Sequence, residues 1–259
     1  MLAQRVLAAV VGAPLLLALA YAGGWPFAAA AALLAVIAWR ELAGMLAARE
    51  IRPSGWLGLP AALAFIVAAR FGTADIIVGL VAALVLAALA YAVASGGRFT
   101  FVDAAASVFG ALYTGLLFGY LVLLRGLGFG PVALVLIVTW AADTAAYFAG
   151  RALGRHKLAP RISPGKSIEG ALAGLVASAA IGAVGGPLAG VTVAMGLSVG
   201  TIAGFVGPIG DLAESTVKRW CGVKDSGSIL PGHGGILDRF DSLLFVAPCA
   251  YYLLLTVLH

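Results

Sequence analysis

Nine apolar runs constrain this chain more than any other feature of it. They lie at about 6–22, 25–48, 56–70, 74–94, 103–124, 131–149, 168–185, 187–208 and 241–258. A hydrocarbon layer about 30 Å thick needs roughly 20 such residues in a helix. Only a helix or a closed barrel satisfies every backbone N–H and C=O within lipid. Composition removes the alternative of a soluble core, because hydrophobic residues make up 63% and charged ones 10%, against roughly 45–50% and 25% in soluble domains. The reading is an all-α, polytopic integral membrane bundle of about nine transmembrane helices. The third and seventh runs are short or rich in small residues, so eight and ten are the neighbouring counts. About five spans fall in residues 1–125, and residues 126–259 carry a polar region turned toward the cytoplasm.

The cations give the orientation. If the chain alternates sides from a cytoplasmic N-terminus, Arg5, Arg40, Arg49, Arg52, Arg98, Arg151, Arg155, Lys157, Arg161, Lys166, Lys218, Arg219, Lys224 and Arg239 share one side. Only Arg70 and Arg125 fall on the other, a split of 14 to 2. The positive-inside bias therefore puts the N-terminus in the cytoplasm and, with an odd span count, the C-terminus outside. Cys221 falls in a loop and Cys249 well inside the last span, so no disulfide is expected between them. Glycine and alanine at helical spacing suit close helix–helix packing in lipid.

Against that background three polar clusters stand out. Asp143, in Trp140–Arg151, lies within the sixth span, seven residues before Gly150. An ionised Asp there costs up to about 2.5–3.5 kcal/mol on insertion scales, so it needs a pocket or a partner. In Arg161–Gly170, Gly165-Lys166-Ser167 imitates the end of a phosphate-binding loop. The spacing fails, since Pro160 stands where that motif needs Gly, and no strand is expected before it. Ser163-Pro164 reads instead as a helix cap exposing amides and Lys166 to an anion.

The third cluster is the densest. Between Asp211 and Asp241 lie nine of the chain's 27 charged residues. Gly207-Pro208 is expected to break or kink the eighth span, with Asp211 and Glu214 at the start of a new helix, where Asp211 would serve as a cap. Lys218 and Arg219 have snorkelling to headgroups as an alternative. Gly227–Gly235 reads as a loop, and Asp238 and Asp241 share a face at the start of the last span. All three clusters fall on the cytoplasmic side. Carboxylates in number suit Mg²⁺ and the neighbouring Lys and Arg suit phosphates, so metal plus polyphosphate fits better than anionic lipid alone.

The pattern Ser215-x-Val217-Lys218-Arg219-x4-Lys224-Asp225-x-Gly227-x2-Leu230-Pro231-x-His233-Gly234-Gly235-Ile236-x-Asp238-Arg239-Phe240-Asp241 resembles the signature of phosphatidate cytidylyltransferases, also called CDP-diacylglycerol synthases. Asp143-Thr144-x-Ala146-Tyr147 and Ser163-Pro164-x-Lys166-Ser167-x-Glu169-Gly170 are similar to two upstream motifs of that family. The second departs mildly, with Ser167 for the usual Thr and Ile168 for a common aromatic. The motifs cover about residues 130–258; the first hundred residues match only as hydrophobic spans.

The resemblance implies transfer of a cytidylyl group from CTP to phosphatidic acid, giving CDP-diacylglycerol and pyrophosphate in phospholipid biosynthesis, with Mg²⁺ required. On that reading Asp211 and Asp238 hold the metal, with Asp143 and Asp241 as further ligands or their supports, and a second ion is admitted. Lys166, Lys218, Arg219, Lys224 and Arg239 hold phosphates of CTP or lipid; Ser163, Asp225 and His233 join the substrate side, His233 as a hydrogen-bond donor rather than a base. Membrane lipid is the other partner, a homodimer is compatible, and no nucleic acid is expected. The place is a bacterial inner membrane with the site facing the cytoplasm. A polyprenol- or phytol-type lipid kinase and a transporter are the competing readings.

Overall fold

The computed structural model describes residues 2–72, 74–227 and 234–258. Each apolar run is helical: α1 (Leu2–Ala22), α2 (Gly24–Ala47), α3 (Gly55–Phe71), α4 (Ala74–Ala94), α5 (Phe101–Gly110) running through one π-helical turn (Ala111–Leu116) into α6 (Leu117–Leu127), α7 (Phe129–Leu153), α8 (Ile168–Leu188), α9 (Val193–Cys221) and α10 (Leu237–Leu258). Among the described residues six helical stretches are long and apolar enough to cross a membrane: Gly24–Ala47, Asp75–Ala94, Phe101–Leu127, Phe129–Leu153, Ile168–Leu188 and Val193–Cys221. Val10–Ala22 and Gly55–Phe71 are shorter apolar helices. α10 is 22 residues long, and its first turns carry Asp238, Arg239 and Asp241. Cys221 and Cys249 are both free.

Three local expectations are corrected. The first concerns Pro208, which does not end its helix: α9 runs for 29 residues straight through it. The ring removes one N–H, a cost the helix carries because it is fixed on both sides by packing. Asp211 is therefore a mid-helix residue and caps nothing. The second concerns Ser163, which lies in a strand. β1 (Lys157–Ala159) and β2 (Ser163–Ser167) form an antiparallel hairpin, so the all-helical reading gains a small sheet. The third follows from it. The cap of α8 is Ser167, whose Oγ accepts from Gly170 N at 3.1 Å; such a cap is worth about 1 kcal/mol.

The chain forms two compact units, Met1–Gly126 with Cys221–Leu237, and Leu127–Trp220 with Asp238–His259. In the first, Phe27, Leu42, Phe65, Ile66, Phe118, Leu121 and Leu124 are almost fully buried. The α5–π–α6 helix lies against α3 so closely that a Cβ on Gly115 would meet the Ala62 backbone. In the second unit, α8 carries Gly170, Gly174, Ser178, Gly182 and Gly186 at intervals of four, all buried. This stripe has no side-chain bulk, so neighbouring backbones come into direct contact with it. A Cβ on Gly174 would stand 2.8 Å from Ala142 O of α7, and one on Gly186 would stand 2.8 Å from Thr192 O. Gly182 and Gly196 face each other across α8 and α9 with no room for a Cβ on either.

Gly196→Ile should therefore force α8 and α9 apart. Overpacking of this kind costs about 1–3 kcal/mol or more, so the unfolding midpoint in detergent should fall by several degrees. Gly126→Ala, where nothing lies within 4 Å of an added Cβ, should leave the midpoint essentially unchanged. Equal midpoints for the two variants would remove the close crossing as a source of stability.

Candidate active site

The second unit holds a cavity of about 720 Å³. Ala142, Asp143, Ala146, Tyr147, Gly150 and Arg151 line it from α7, each three or four residues from the next pair along one helix face. The β-hairpin contributes Ser163, Gly165, Lys166 and Ser167, α9 contributes Gly204, Pro208 and Asp211, and α10 contributes Asp238, Arg239, Asp241 and Ser242. Four carboxylates and three cations thus share one space.

Two helices are drawn together to make it. A Cβ on Gly210 would lie 2.5 Å from Asp241 O, and one on Gly207 would lie 3.6 Å from Ser242 Cβ. The approach sets Asp211 beside the first turns of α10. Asp241 feels the charges of Asp211, Glu214 and Asp143, and Asp143 feels those of Asp211 and Lys166. Ser242 Oγ donates to Asp143 Oδ1 at 3.4 Å, and Ser215 Oγ donates to Asp211 Oδ1 at 3.2 Å.

Lysines offset part of this negative charge. Lys166 Nζ stands 2.7 Å from Asp211 Oδ2 and also donates to Pro208 O at 3.3 Å. Lys218 Nζ lies 2.7 Å from Glu214 Oε2 and 2.5 Å from Asp238 Oδ1. Lys218 is only 8% exposed and Glu214 only 1%, so this trio is a buried ionic lock between α9 and α10. The snorkelling alternative for Lys218 is thereby excluded. Glu214 Oε1 is buried with no hydrogen-bond partner among the described residues.

The structure thus brings together Asp143, Ser163, Lys166, Asp211, Asp238, Arg239 and Asp241 of the residues singled out in the sequence. Lys218 sits behind Asp238 rather than in the cavity lining, and Arg219, an exposed residue, donates through Nε to Ile162 O at 3.4 Å. Lys224 and Asp225 are exposed residues of the first unit. His233 lies outside the described residues. Three lining residues had been given no role from the sequence. Arg151 and Tyr147 share the Asp143 face at helical spacing, which the sequence did offer as a signal, and Arg151 Nη1 donates to Tyr147 Oη at 3.3 Å. Ser242 carried no signal, because a Ser beside an Asp at the head of a span is common.

The donor set is hard oxygen, which suits Mg²⁺. Among the described residues no three His, Cys, Asp or Glu side chains stand together as a group that could hold a metal ion by themselves.

A helical chain with six stretches fit to cross a membrane, and a cavity of paired acids and cations, defines an integral membrane protein that handles a charged ligand. The chain belongs to the cytidylyltransferase family, whose family model matches residues 3–257. It is 38% identical over 260 residues to a phosphatidate cytidylyltransferase of Staphylococcus haemolyticus, covering 97% of this chain and 98% of that one. A phosphatidate cytidylyltransferase of Staphylococcus saprophyticus is 37% identical, covering 98% of this chain and 99% of its own length. One of Bacillus subtilis is 36% identical over 262 residues, covering 97% of each chain.

Removing the Lys218 ammonium leaves two buried carboxylates without their cation, a loss of about 3–5 kcal/mol for such a pair. Lys218→Met should therefore unfold at a clearly lower temperature in detergent. Arg151→Ala, at an exposed position, should keep the wild-type midpoint. A Lys218→Met protein as stable as the parent would dissolve the lock.

Proposed function

We propose that this protein transfers the cytidylyl group of CTP to phosphatidic acid, giving CDP-diacylglycerol and pyrophosphate for phospholipid synthesis. The observation that carries the reading is the cavity in which four aspartates meet Lys166, Arg151 and Arg239, in a chain of the cytidylyltransferase family. The lipid phosphate oxygen attacks the α-phosphorus of CTP. A new P–O bond forms, the bond from the α-phosphorus to the oxygen bridging to the β-phosphorus breaks, and pyrophosphate leaves with that electron pair. The attacking oxygen is already ionised near neutral pH, so the site needs no strong general base. Its work is alignment and charge neutralisation.

The residues divide accordingly. Lys166, Arg151 and Arg239 face the cavity and hold phosphates. Lys166 turns from Asp211 to substrate, which exposes the Asp211 carboxylate. Asp211 and Asp238 would hold Mg²⁺, with Asp143 and Asp241 beside them, and the ion when bound would supply charge neutralisation for the departing pyrophosphate. Lys218 keeps Asp238 in register from behind, while Arg219, Lys224, Asp225 and His233 serve the substrate side. Ser163 presents the hairpin edge to a phosphate. All nine helical stretches cross the bilayer, with the N-terminus and the cavity on the cytoplasmic side of a bacterial inner membrane and the C-terminus outside. This topology rests on the 14-to-2 division of cations.

Purified protein given labelled CTP, Mg²⁺ and phosphatidic acid should yield CDP-diacylglycerol and pyrophosphate, and chelation with EDTA should stop it. ATP in place of CTP should give no product; ADP release onto an alcohol acceptor would assign the protein to the lipid kinases instead. Asp211→Asn and Asp238→Asn should each lower turnover by several orders of magnitude, with the double variant little worse, as for residues acting as a unit. A folded Asp211→Asn enzyme with near-normal turnover would take Asp211 out of the site. Reporter fusions at Lys157 and His259 should report opposite compartments, and one shared compartment would overturn the odd span count.

A further inference from the structure

Glu41 is a carboxylate in the last two turns of α2, and the motif readings give it no role. It is 6% exposed, in the first unit. A buried carboxylate is costly unless its oxygens find donors, and those of Glu41 do. Oε1 accepts from Ile236 N at 2.8 Å; Oε2 accepts from Leu237 N at 2.9 Å and from Ser226 Oγ at 3.2 Å. The donors are 185 to 196 residues away in sequence.

The position of those donors matters. Leu237 is the first residue of α10, so its amide is one of the four that a helix leaves without an internal partner. A carboxylate there satisfies that amide and complements the positive end of the helix dipole. Among the described residues, the oxygens these two amides find come from α2. The carboxylate also holds both ends of the glycine-rich stretch, with Ser226 and Gly227 on one side and Gly235 to Leu237 on the other. The fit is close. A Cβ on Gly227 would come 2.8 Å from Glu41 Oε1, and one on Gly235 would come 2.5 Å from the same oxygen. Gly227 thus leaves room for Glu41, and Gly235 leaves room for both Glu41 and the Ser226 hydroxyl that donates to it.

The next residue after Leu237 is Asp238. We infer that Glu41 is a positioning residue: by holding the Ile236 and Leu237 amides it fixes where α10 begins and hence where Asp238 and Asp241 present their carboxylates. A shift of one residue in that start rotates both by about 100° around a helix of 3.6 residues per turn. Glutamate is the side chain that fits. Glutamine offers a single acceptor oxygen and turns an NH₂ toward an N–H, and aspartate is one methylene short.

This inference rests on the proposed cytidylyl transfer, and its test has two readouts. Hydrogen exchange reads the clamp without any reaction, and steady-state kinetics read its consequence. In Glu41→Gln the peptide covering residues 226–240 should exchange about tenfold faster or more, while peptides from α3 keep their rates, because a hydrogen bond to a charged acceptor is lost at one place. The kcat for CDP-diacylglycerol formation should fall about tenfold to a hundredfold with KM for CTP within about threefold, a separation that general destabilisation would not produce. Glu41→Asp should lie between Glu41→Gln and wild type in both readouts. Gly235→Ala crowds Glu41 and the Ser226 hydroxyl bonded to it and should reproduce both changes, so the test stands even where Glu41→Gln yields no monodisperse protein. Unchanged exchange at residues 226–240 would overturn the clamp. Faster exchange with unchanged kcat would overturn the positioning role. Faster exchange in the variants of a wild-type protein that makes no CDP-diacylglycerol would leave the clamp standing and remove the proposed reaction.

Discussion

The Lys218 ammonium, lodged between Glu214 and Asp238, is the contact on which the rest of the second unit's chemistry depends. It joins α9 to α10 in a place where neither charge sign is tolerable alone. Two carboxylates beside each other repel, and a buried ammonium without them would be more costly still. The lock does not have to be a large net source of stability to matter. Its worth lies in removing alternatives, since any slip of α10 along α9 would strand charge in an apolar interior. Asp211, one turn before Glu214 on α9, then has its neighbourhood decided as well.

A second constraint makes the lock reachable. Helices in lipid gain little from hiding apolar side chains from one another, so they associate through close backbone contact. The Gly170–Gly186 stripe of α8 and the Gly207 and Gly210 pair of α9 provide that contact. Bulk at Gly210 would push α10 away by its Asp241 carbonyl. The glycines therefore act on the site through distance rather than through flexibility. Gly165, in the hairpin, lines the cavity differently, with nothing within 4 Å of an added Cβ.

The first unit contributes order of a different kind. Glu41 shows a carboxylate of one helix accepting from the amides of Ile236 and Leu237, where α10 begins. Elsewhere in the same unit capping is conventional: Thr100 and Asp103 form a reciprocal capping box at the start of α5. The contrast has a physical basis. Ahead of α5 the chain supplies its own oxygens, whereas the Ile236 and Leu237 amides take theirs from a side chain of α2.

Much of this protein was legible in its sequence. The nine apolar runs became helices because a long apolar segment in lipid has few other ways to satisfy its backbone, and that argument needs no partner. That Asp143, Lys166, Asp211, Asp238, Arg239 and Asp241 would gather in one polar space was legible for a related reason: each is costly in an apolar surrounding. What local pattern misjudged was Pro208, which reads as a helix end until packing on both sides holds it inside α9, and Ser163, which reads as a cap until β1 pairs with its strand. What no local pattern contained was partnership. That Lys218 turns inward to Glu214 and Asp238, and that Glu41 reaches two amides nearly two hundred residues away, depends on which backbones come close. A sequence states the cost of each buried charge, and only the tertiary structure supplies the partner that offsets it.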